Sequence, residues 1–161
     1  MEFLYQTDNG HSGENIGCNL YLLTNGLGGY SSLSAAFSAP RTDQGILVAA
    51  QKAPNVRINL VHRISEKLIC GADSCFLSAQ DFADGEASED GTRYLRSFSF
   101  EYTPVWIYEV HGVTVTRRCC MPAGENTAAV LYTIENPTSR SCTLALTPFF
   151  KFAPKEDAGS D

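Results

Sequence analysis

The sequence predicts an all-β fold, an antiparallel β-sandwich with very little helix. Apolar and polar residues alternate with the period of two that half-buried strands show, most clearly over residues 113–118, 130–134 and 142–146. These runs are short, evenly spaced and separated by turn signals, which is typical of a sandwich. Only residues 31–37 and the stretch near 78–82 are compatible with a turn or two of helix.

The remaining elements follow in chain order. Further strands are predicted over residues 19–24, 45–50, 57–66, 67–70 and 94–102. The pair His111-Gly112 predicts a two-residue hairpin turn, and residues 136–139 (Asn-Pro-Thr-Ser) predict a second turn because proline fixes φ. Polar loops are predicted over residues 6–17 and 81–91. The chain therefore divides into a polar segment (1–18), one sandwich domain (19–153) and a polar tail (154–161).

Composition excludes several classes of partner. The 161 residues suit one domain, and 12 basic against 18 acidic residues give a net charge of −6. That charge disfavours nucleic acid and anionic lipid as partners, and no apolar run reaches the roughly 20 residues of a membrane span. The amino end carries no export signal. We therefore expect a cytoplasmic protein whose six cysteines are reduced.

A glycine-rich segment, TNGLGGYS at residues 24–31, follows a predicted strand, as phosphate-binding loops do. A dinucleotide-binding motif would need glycine where Ser31 stands, and a P-loop would need a lysine that is not there. Two interpretations stay open. The loop lines a polar ligand site, or its glycines serve only a demanding backbone conformation.

No metal site, cofactor or catalytic nucleophile is predicted. The three histidines are far apart in sequence, and Cys70 and Cys75 lack a second pair of ligands. A carboxylate pair for glycoside hydrolysis remains as the catalytic option, but small polar neighbours predict a solvated loop instead. The carboxylates concerned are Asp81, Asp84, Glu86, Glu89 and Asp90.

Aromatic residues share one face of the predicted strand 94–102, and the single tryptophan, Trp106, follows shortly after it. Aromatic rings stack on sugars, and they also fill the cores of β-sandwiches. For Phe98 and Phe100 the pattern favours the core. For Trp106 both interpretations stay open.

Four ordered segments resemble the N-terminal domain of bacterial and archaeal glycogen debranching enzymes of the amylo-α-1,6-glucosidase type. They are YLLTNGLGGYSS (21–32), Arg41 with GILVAA (45–50), RYLRSF (93–98), and PVWIY (104–108) running to GENT (124–127), and the resemblance spans about residues 20–152. It implies a β-supersandwich that precedes an (α/α)6 barrel. In that family the barrel hydrolyses the α-1,6 branch stubs of glycogen, and the sandwich helps to hold the glucan.

Two features depart from the family's pattern. The residues Thr42-Asp43-Gln44-Gly45 stand where the family usually has Arg/Lys-Tyr-His-Gly, so any contact made by that Tyr-His pair is lost or rewired. The family's domain also continues beyond the position of Phe152, and no catalytic barrel is present in this chain.

The resemblance implies a non-catalytic domain that binds α-glucan and supports a catalytic barrel. We expect Asn25, Tyr30, Arg41 and Trp106 to face sugar or barrel. Expected partners are α-glucan, the C-terminal catalytic domain and a second copy, which would pair through the exposed strand edge of an incomplete sandwich. The alternative is a structural docking or oligomerisation module with no ligand of its own. A further rival is an enzyme that uses the acidic loop.

Overall fold

The computed structural model describes residues 3–6, 19–52, 56–80 and 89–154. The strands in this part of the chain, in order, are β1 (Phe3–Gln6), β2 (Leu23–Thr24), β3 (Tyr30–Ser32), β4 (Gly45–Lys52), β5 (Val56–Cys70), β6 (Asp73–Phe76), β7 (Ala79–Gln80), β8 (Glu89–Asp90), β9 (Leu95–Phe100), β10 (Pro104–Val110), β11 (Val113–Cys120), β12 (Ala129–Glu135) and β13 (Cys142–Pro154). A single turn of 3-10 helix, Gly91–Tyr94, precedes β9.

The strands form two main antiparallel sheets that enclose one core. The first sheet has the order β1-β9-β10-β11-β12, and the second has the order β13-β5-β4-β3-β2 with β6 also paired to β5. Strands β7 and β8 form a separate two-stranded ribbon. Buried residues from both main sheets belong to one hydrophobic cluster. The predicted antiparallel sandwich is therefore confirmed.

Several local predictions are confirmed and others are wrong. His111 (φ 50°) and Gly112 (φ 82°) form the predicted hairpin turn between β10 and β11, since both positive φ angles match its twist. The helical turn predicted at residues 31–37 is wrong, because this stretch begins as β3 and ends at Phe37 with φ 58°. Near residues 78–82, Ala79–Gln80 is a strand. The predicted strands 57–66 and 67–70 are one strand, β5.

Other predictions fall outside the described residues. These are the fold of most of the N-terminal polar segment, of the acidic loop at 81–88 and of the tail at 155–161. Among the described residues, no helix is long and apolar enough to cross a membrane.

A disulfide joins the two long strands of the second sheet. Cys70 on β5 and Cys142 on β13 lie directly opposite in the antiparallel register, with Cα atoms 4.3 Å apart, and their sulfur atoms are bonded. The prediction of reduced cysteines is therefore wrong for this pair, because the register brings together two residues that are 72 positions apart in sequence. Cys75, Cys119 and Cys120 are free thiols. The cytoplasmic localisation stays a prediction.

Trp106 lies at the centre of the core and is 0% exposed. Its ring packs against Tyr21, Phe37 and Phe98, with centroid distances of 5.5, 5.2 and 5.1 Å. Its indole Nε1 donates a hydrogen bond to the Ala35 carbonyl at 2.7 Å. The expectation that Trp106 faces a sugar is therefore wrong, because its side chain is fully buried and its one donor is used inside the protein.

A buried ion pair links the two sheets beside this aromatic cluster. Arg117 of β11 bonds Glu66 of β5, and both side chains are fully buried. Arg117 also donates to the Tyr108 hydroxyl, while the Tyr132 hydroxyl donates to the second oxygen of Glu66. The guanidinium carbon lies 3.4 Å from the centroid of the Phe37 ring. Each charge is thus met by an opposite charge, a hydroxyl or an aromatic face.

Burial and pairing shift the pKa of each of the two charged groups in opposite directions. Burial raises the pKa of the Glu66 carboxyl, and the neighbouring charge of Arg117 only partly opposes this shift. For Arg117, burial alone would lower the pKa, but the Glu66 carboxylate and surrounding groups outweigh it and raise the value. Arg117 is therefore a permanent buried cation that requires Glu66 as its counter-charge.

The sandwich is open on the side where both sheets end, at β12 and β13. Ile134 of β12 points to the core opposite Val115, yet it is 40% exposed, while Val115 is fully buried. Leu146 of β13 lies opposite the buried Glu66 and is 45% exposed. Three phenylalanines further along β13 are also exposed, namely Phe149, Phe150 and Phe152. We call this region, formed by β12 and β13, the open side.

The buried position of Trp106 predicts that its substitution destabilises the fold. Replacing Trp106 by alanine should lower the free energy of unfolding by about 3–5 kcal/mol, because it leaves a cavity in the packed core. Denaturant titration of the wild type and of a matched surface variant, Tyr102→Ala, measures this difference; Tyr102 is largely exposed. A Trp106→Ala protein as stable as the control would contradict the assignment of this residue to the core.

The buried ion pair makes a second prediction. Glu66→Leu alone should cost about 3–5 kcal/mol of stability, because it leaves the Arg117 cation buried without its counter-charge. The double variant Glu66→Leu/Arg117→Met should recover most of that loss, since it removes both charges from the core. The four proteins of this cycle are compared by denaturant unfolding. If the stability losses of the two single variants add up to that of the double variant, the two charges are not coupled.

Candidate functional site

A surface groove of about 390 Å³ lies on the second sheet, near β2 and β3. Its lining combines apolar, aromatic, hydroxyl and charged side chains. These are Leu20, Leu22, Thr24, Tyr30, Ser32, Arg41, Asp43, Gln44 and Arg57.

The alternation of side chains along the strands places the groove on the outer face of the sheet. Tyr30 and Ser32 line the groove, whereas Ser31 between them is buried and its hydroxyl shares a hydrogen bond of 3.0 Å with the Tyr21 hydroxyl. Leu20 and Leu22 flank Tyr21 and line the groove in the same way. The period of two that predicts the strands therefore also decides which side chains reach the groove.

The glycine-rich loop is held from inside by Asn25, which is buried. The Asn25 side-chain oxygen accepts from the backbone N–H groups of Leu27 and Gly29, both at 2.9 Å. Its amide nitrogen donates to the Glu125 carbonyl at 2.9 Å and to the Asn126 side chain at 3.0 Å. Asn25 therefore has no donor left for a ligand, and its expected sugar-facing role is wrong. It ties the loop to the β11–β12 connection instead.

The backbone conformation and close packing of this loop require its glycines. Gly26 and Gly28 have φ angles of 77° and 97°, a region that other residues rarely adopt. At Gly29 a Cβ atom would lie 2.7 Å from the Asn25 amide nitrogen. The backbone conformation therefore accounts for these glycines, and whether the motif lines a ligand site stays a prediction, since its Thr24 and Tyr30 line the groove. The loop still reaches the groove through the Gly28 carbonyl, which accepts from Arg57 Nε at 2.5 Å.

Arg57 and Tyr30 form the floor of the groove. The Arg57 guanidinium carbon lies 5.9 Å from the centroid of the Tyr30 ring. The Tyr30 hydroxyl donates to the Asp43 carbonyl at 2.5 Å. Burial, reinforced by the Asp43 charge, raises the pKa of this hydroxyl, so it stays protonated as a donor. Arg57 is accordingly held at Nε, and its side chain lines the groove.

The loop at residues 41–44 forms the other wall. The Gln44 side-chain oxygen accepts from the Arg41 N–H at 3.0 Å, which closes the loop on itself. The Gln44 carbonyl accepts from Asn59 Nδ2 at 2.7 Å and lies 3.1 Å from His62 Nδ1. Burial lowers the pKa of His62, and the contact with this carbonyl opposes the shift. The residues that depart from the family's pattern therefore shape this wall.

The groove keeps several polar groups for a ligand. Among the described residues, the guanidinium of Arg41, the terminal nitrogens of Arg57 and the carboxylate of Asp43 have no hydrogen-bond or ion-pair partner. The hydroxyls of Thr24 and Ser32 are unpartnered in the same part of the chain. Such a set can donate to and accept from hydroxyl groups, and the two leucines offer an apolar surface beside it.

Catalysis by a carboxylate pair has no support in the described part of the chain. Asp43 is the one carboxylate that lines the groove, whereas glycoside hydrolysis needs two. Glu89 accepts from Ser65 at 2.5 Å, Ser78 at 2.6 Å and Arg63 at 3.1 Å, so it holds the small ribbon on β5. Asp81, Asp84 and Glu86 lie outside the described residues. The described residues also hold no cluster of three or more metal-ligating side chains.

The structure brings together two of the four expected site residues. Tyr30 and Arg41 line one groove, Asn25 supports it from inside, and Trp106 lies in the core. Whether Tyr30 and Arg41 contact a sugar stays a prediction. Sequence reasoning missed Arg57, because an isolated arginine in a predicted strand gives no sign that its side chain reaches a distant loop.

Comparison with known proteins matches the chain to one family model, described as glycogen debranching enzyme N terminal, over residues 20–160. No curated protein and no solved structure gives a significant match. The matched region contains the glycine-rich loop, the loop at residues 41–44 and the Asn25–Asn126 contact. The chain belongs to the family of glycogen debranching enzyme N-terminal domains.

Proposed function

We propose that this domain binds α-glucan in the groove between Arg41 and Arg57 and supports the catalytic barrel of a debranching-type glycoside hydrolase. The observation that carries this proposal is the lining of the groove, in which unpartnered polar groups lie beside two leucines. A pyranose ring presents hydroxyls at its rim and apolar C–H groups on its faces, so it matches such a lining. In this proposal the domain itself is not catalytic.

The roles of the individual residues follow from their partners. Arg41 is exposed and its planar guanidinium can donate two parallel hydrogen bonds to neighbouring hydroxyls. The Asp43 carboxylate accepts from a hydroxyl, while Leu20 and Leu22 contact the C–H face of the sugar. The Tyr30 hydroxyl is used by the Asp43 carbonyl, so Tyr30 contributes its ring edge and fixes the loop.

Binding is tested by calorimetric titration of the chain with maltoheptaose. Arg41→Ala should weaken binding by about tenfold or more, since a hydrogen bond to a charged group contributes about 1.5–3 kcal/mol. Arg118→Ala is the matched control, because Arg118 is an exposed arginine of β11 that does not line the groove. Equal loss in both variants, or no binding by the wild type, would contradict the proposed glucan site.

The open side favours a second function, docking of another protein domain. Exposed apolar residues that point toward the core are found where a partner normally covers them. No described strand pairs with the outer edge of β13, so this edge can accept a further strand. We propose that the catalytic barrel docks here, and that an isolated chain uses the same edge to pair with a second copy.

Docking is tested by the oligomeric state of the isolated chain. Wild-type chain should self-associate with rising concentration in sedimentation velocity, and Phe150→Asp/Phe152→Asp should remain monomeric, because a charge at the open side opposes burial. Tyr102→Asp, at an exposed residue before β10, is the control. A wild type that stays monomeric at all concentrations and binds no added catalytic domain would remove the docking function. Self-association without any glucan binding would instead favour the purely structural module.

A further inference from the structure

The groove carries an excess of positive charge on an otherwise acidic protein. The chain has a net charge of −6, yet the groove is lined by Arg41 and Arg57 against the single carboxylate of Asp43. Lys151 of β13 reaches the same wall, where its ammonium group donates to the Thr42 carbonyl at 3.4 Å. Among the described residues, two cations and one anion line this groove, so its lining is net positive on a chain that is net negative.

The two arginines of the groove have no carboxylate partner among the described residues. Four other described arginines have a carboxylate partner, in the pairs Arg63–Glu89, Arg96–Glu109, Arg117–Glu66 and Arg140–Asp73, whereas Arg93 and Arg118 do not. Within the described residues, neither Arg41 nor Arg57 forms such a pair, although Asp43 lines the same groove. The two guanidinium groups therefore remain available for an anion from outside.

The backbone holds Arg57 in a fixed position. Its Nε donates to the Gly28 carbonyl at 2.5 Å, and its guanidinium lies near the Tyr30 ring. Little side-chain entropy is then lost when its two terminal nitrogens bind a ligand. A planar pair of N–H donors matches two oxygens of a phosphate group, which is the arrangement that distinguishes arginine from lysine.

We propose that the groove binds a phosphorylated α-glucan, with the phosphate monoester held between Arg41 and Arg57. This inference rests on the proposed glucan-binding function and names the class of glucan. The sugar that carries the phosphate lies against Leu20 and Leu22, and its free hydroxyls bond Thr24, Ser32 and the Asp43 carboxylate.

The test compares two probes by calorimetry, maltoheptaose and the same oligosaccharide carrying one phosphate monoester. The phosphorylated probe should bind about tenfold or more tightly than the neutral one, and added salt should reduce this preference because the groove is open to solvent. Arg41→Gln and Arg57→Gln should each remove most of the preference. Arg118→Gln is the control for the loss of one positive charge. Thermal melting of each variant confirms that the fold is intact.

The outcomes separate this inference from the proposed function. Equal binding of both probes overturns the phosphate site and leaves the glucan site standing. Binding of the phosphorylated probe alone supports the phosphate site and contradicts a site for neutral glucan. If neither probe binds, both the phosphate site and the glucan site are overturned. A preference that persists in Arg41→Gln and Arg57→Gln also overturns the inference. Inorganic phosphate is titrated as a third probe. If it binds as tightly as the phosphorylated sugar, the ligand is free phosphate and the phosphoglucan is overturned.

Discussion

The Arg117–Glu66 ion pair is the interaction on which the rest of the sandwich depends. Arg117 belongs to the first sheet and Glu66 to the second, and both charges are removed from water. A buried charge without a partner is far more costly than a mispacked apolar group, so only a placement that brings these two residues together is stable. Tyr108 and Tyr132 complete the network from neighbouring strands. The pair thereby favours one alignment of the two sheets over others that would bury the same apolar area.

The groove is a consequence of that alignment. Asn25 lies in the loop after β2, and its contact with Asn126 crosses to the β11–β12 connection of the other sheet. Through Gly28 the same loop holds Arg57, and through Tyr30 it reaches the Asp43 carbonyl. The polar groups of the groove are therefore positioned by both sheets, although its lining comes from the second alone. A shift between the sheets would reach Arg57 through the hydrogen bonds of the Asn25 side chain and of the Gly28 carbonyl.

The open side and the loop at residues 41–44 are in contact through one side chain of β13. Lys151 on β13 contacts the Thr42 carbonyl in the groove wall, and Phe150 and Phe152 flank it along the same strand. These two phenylalanine rings stack on each other with centroids 5.6 Å apart, on a strand edge that no other described strand covers. A domain that docks on β13 would thus lie beside the loop that carries Arg41 and Asp43. In the proposed function, a glucan bound in the groove would therefore lie near the docked catalytic domain.

The sequence by itself determined the fold class, most strands and the hairpin at His111-Gly112, because period-two alternation and positive-φ turns are local properties. It also determined the family, through four ordered segments. The first of these segments contains Asn25, which bonds Asn126 of the fourth. Only the tertiary structure decided that Trp106 fills the core, that Cys70 meets Cys142, and that Arg57 joins Arg41 in a groove. Each of these facts depends on which strands become neighbours. Pairing between strands distant in sequence is a property of the whole sheet, so no local pattern around any one of these residues contains it.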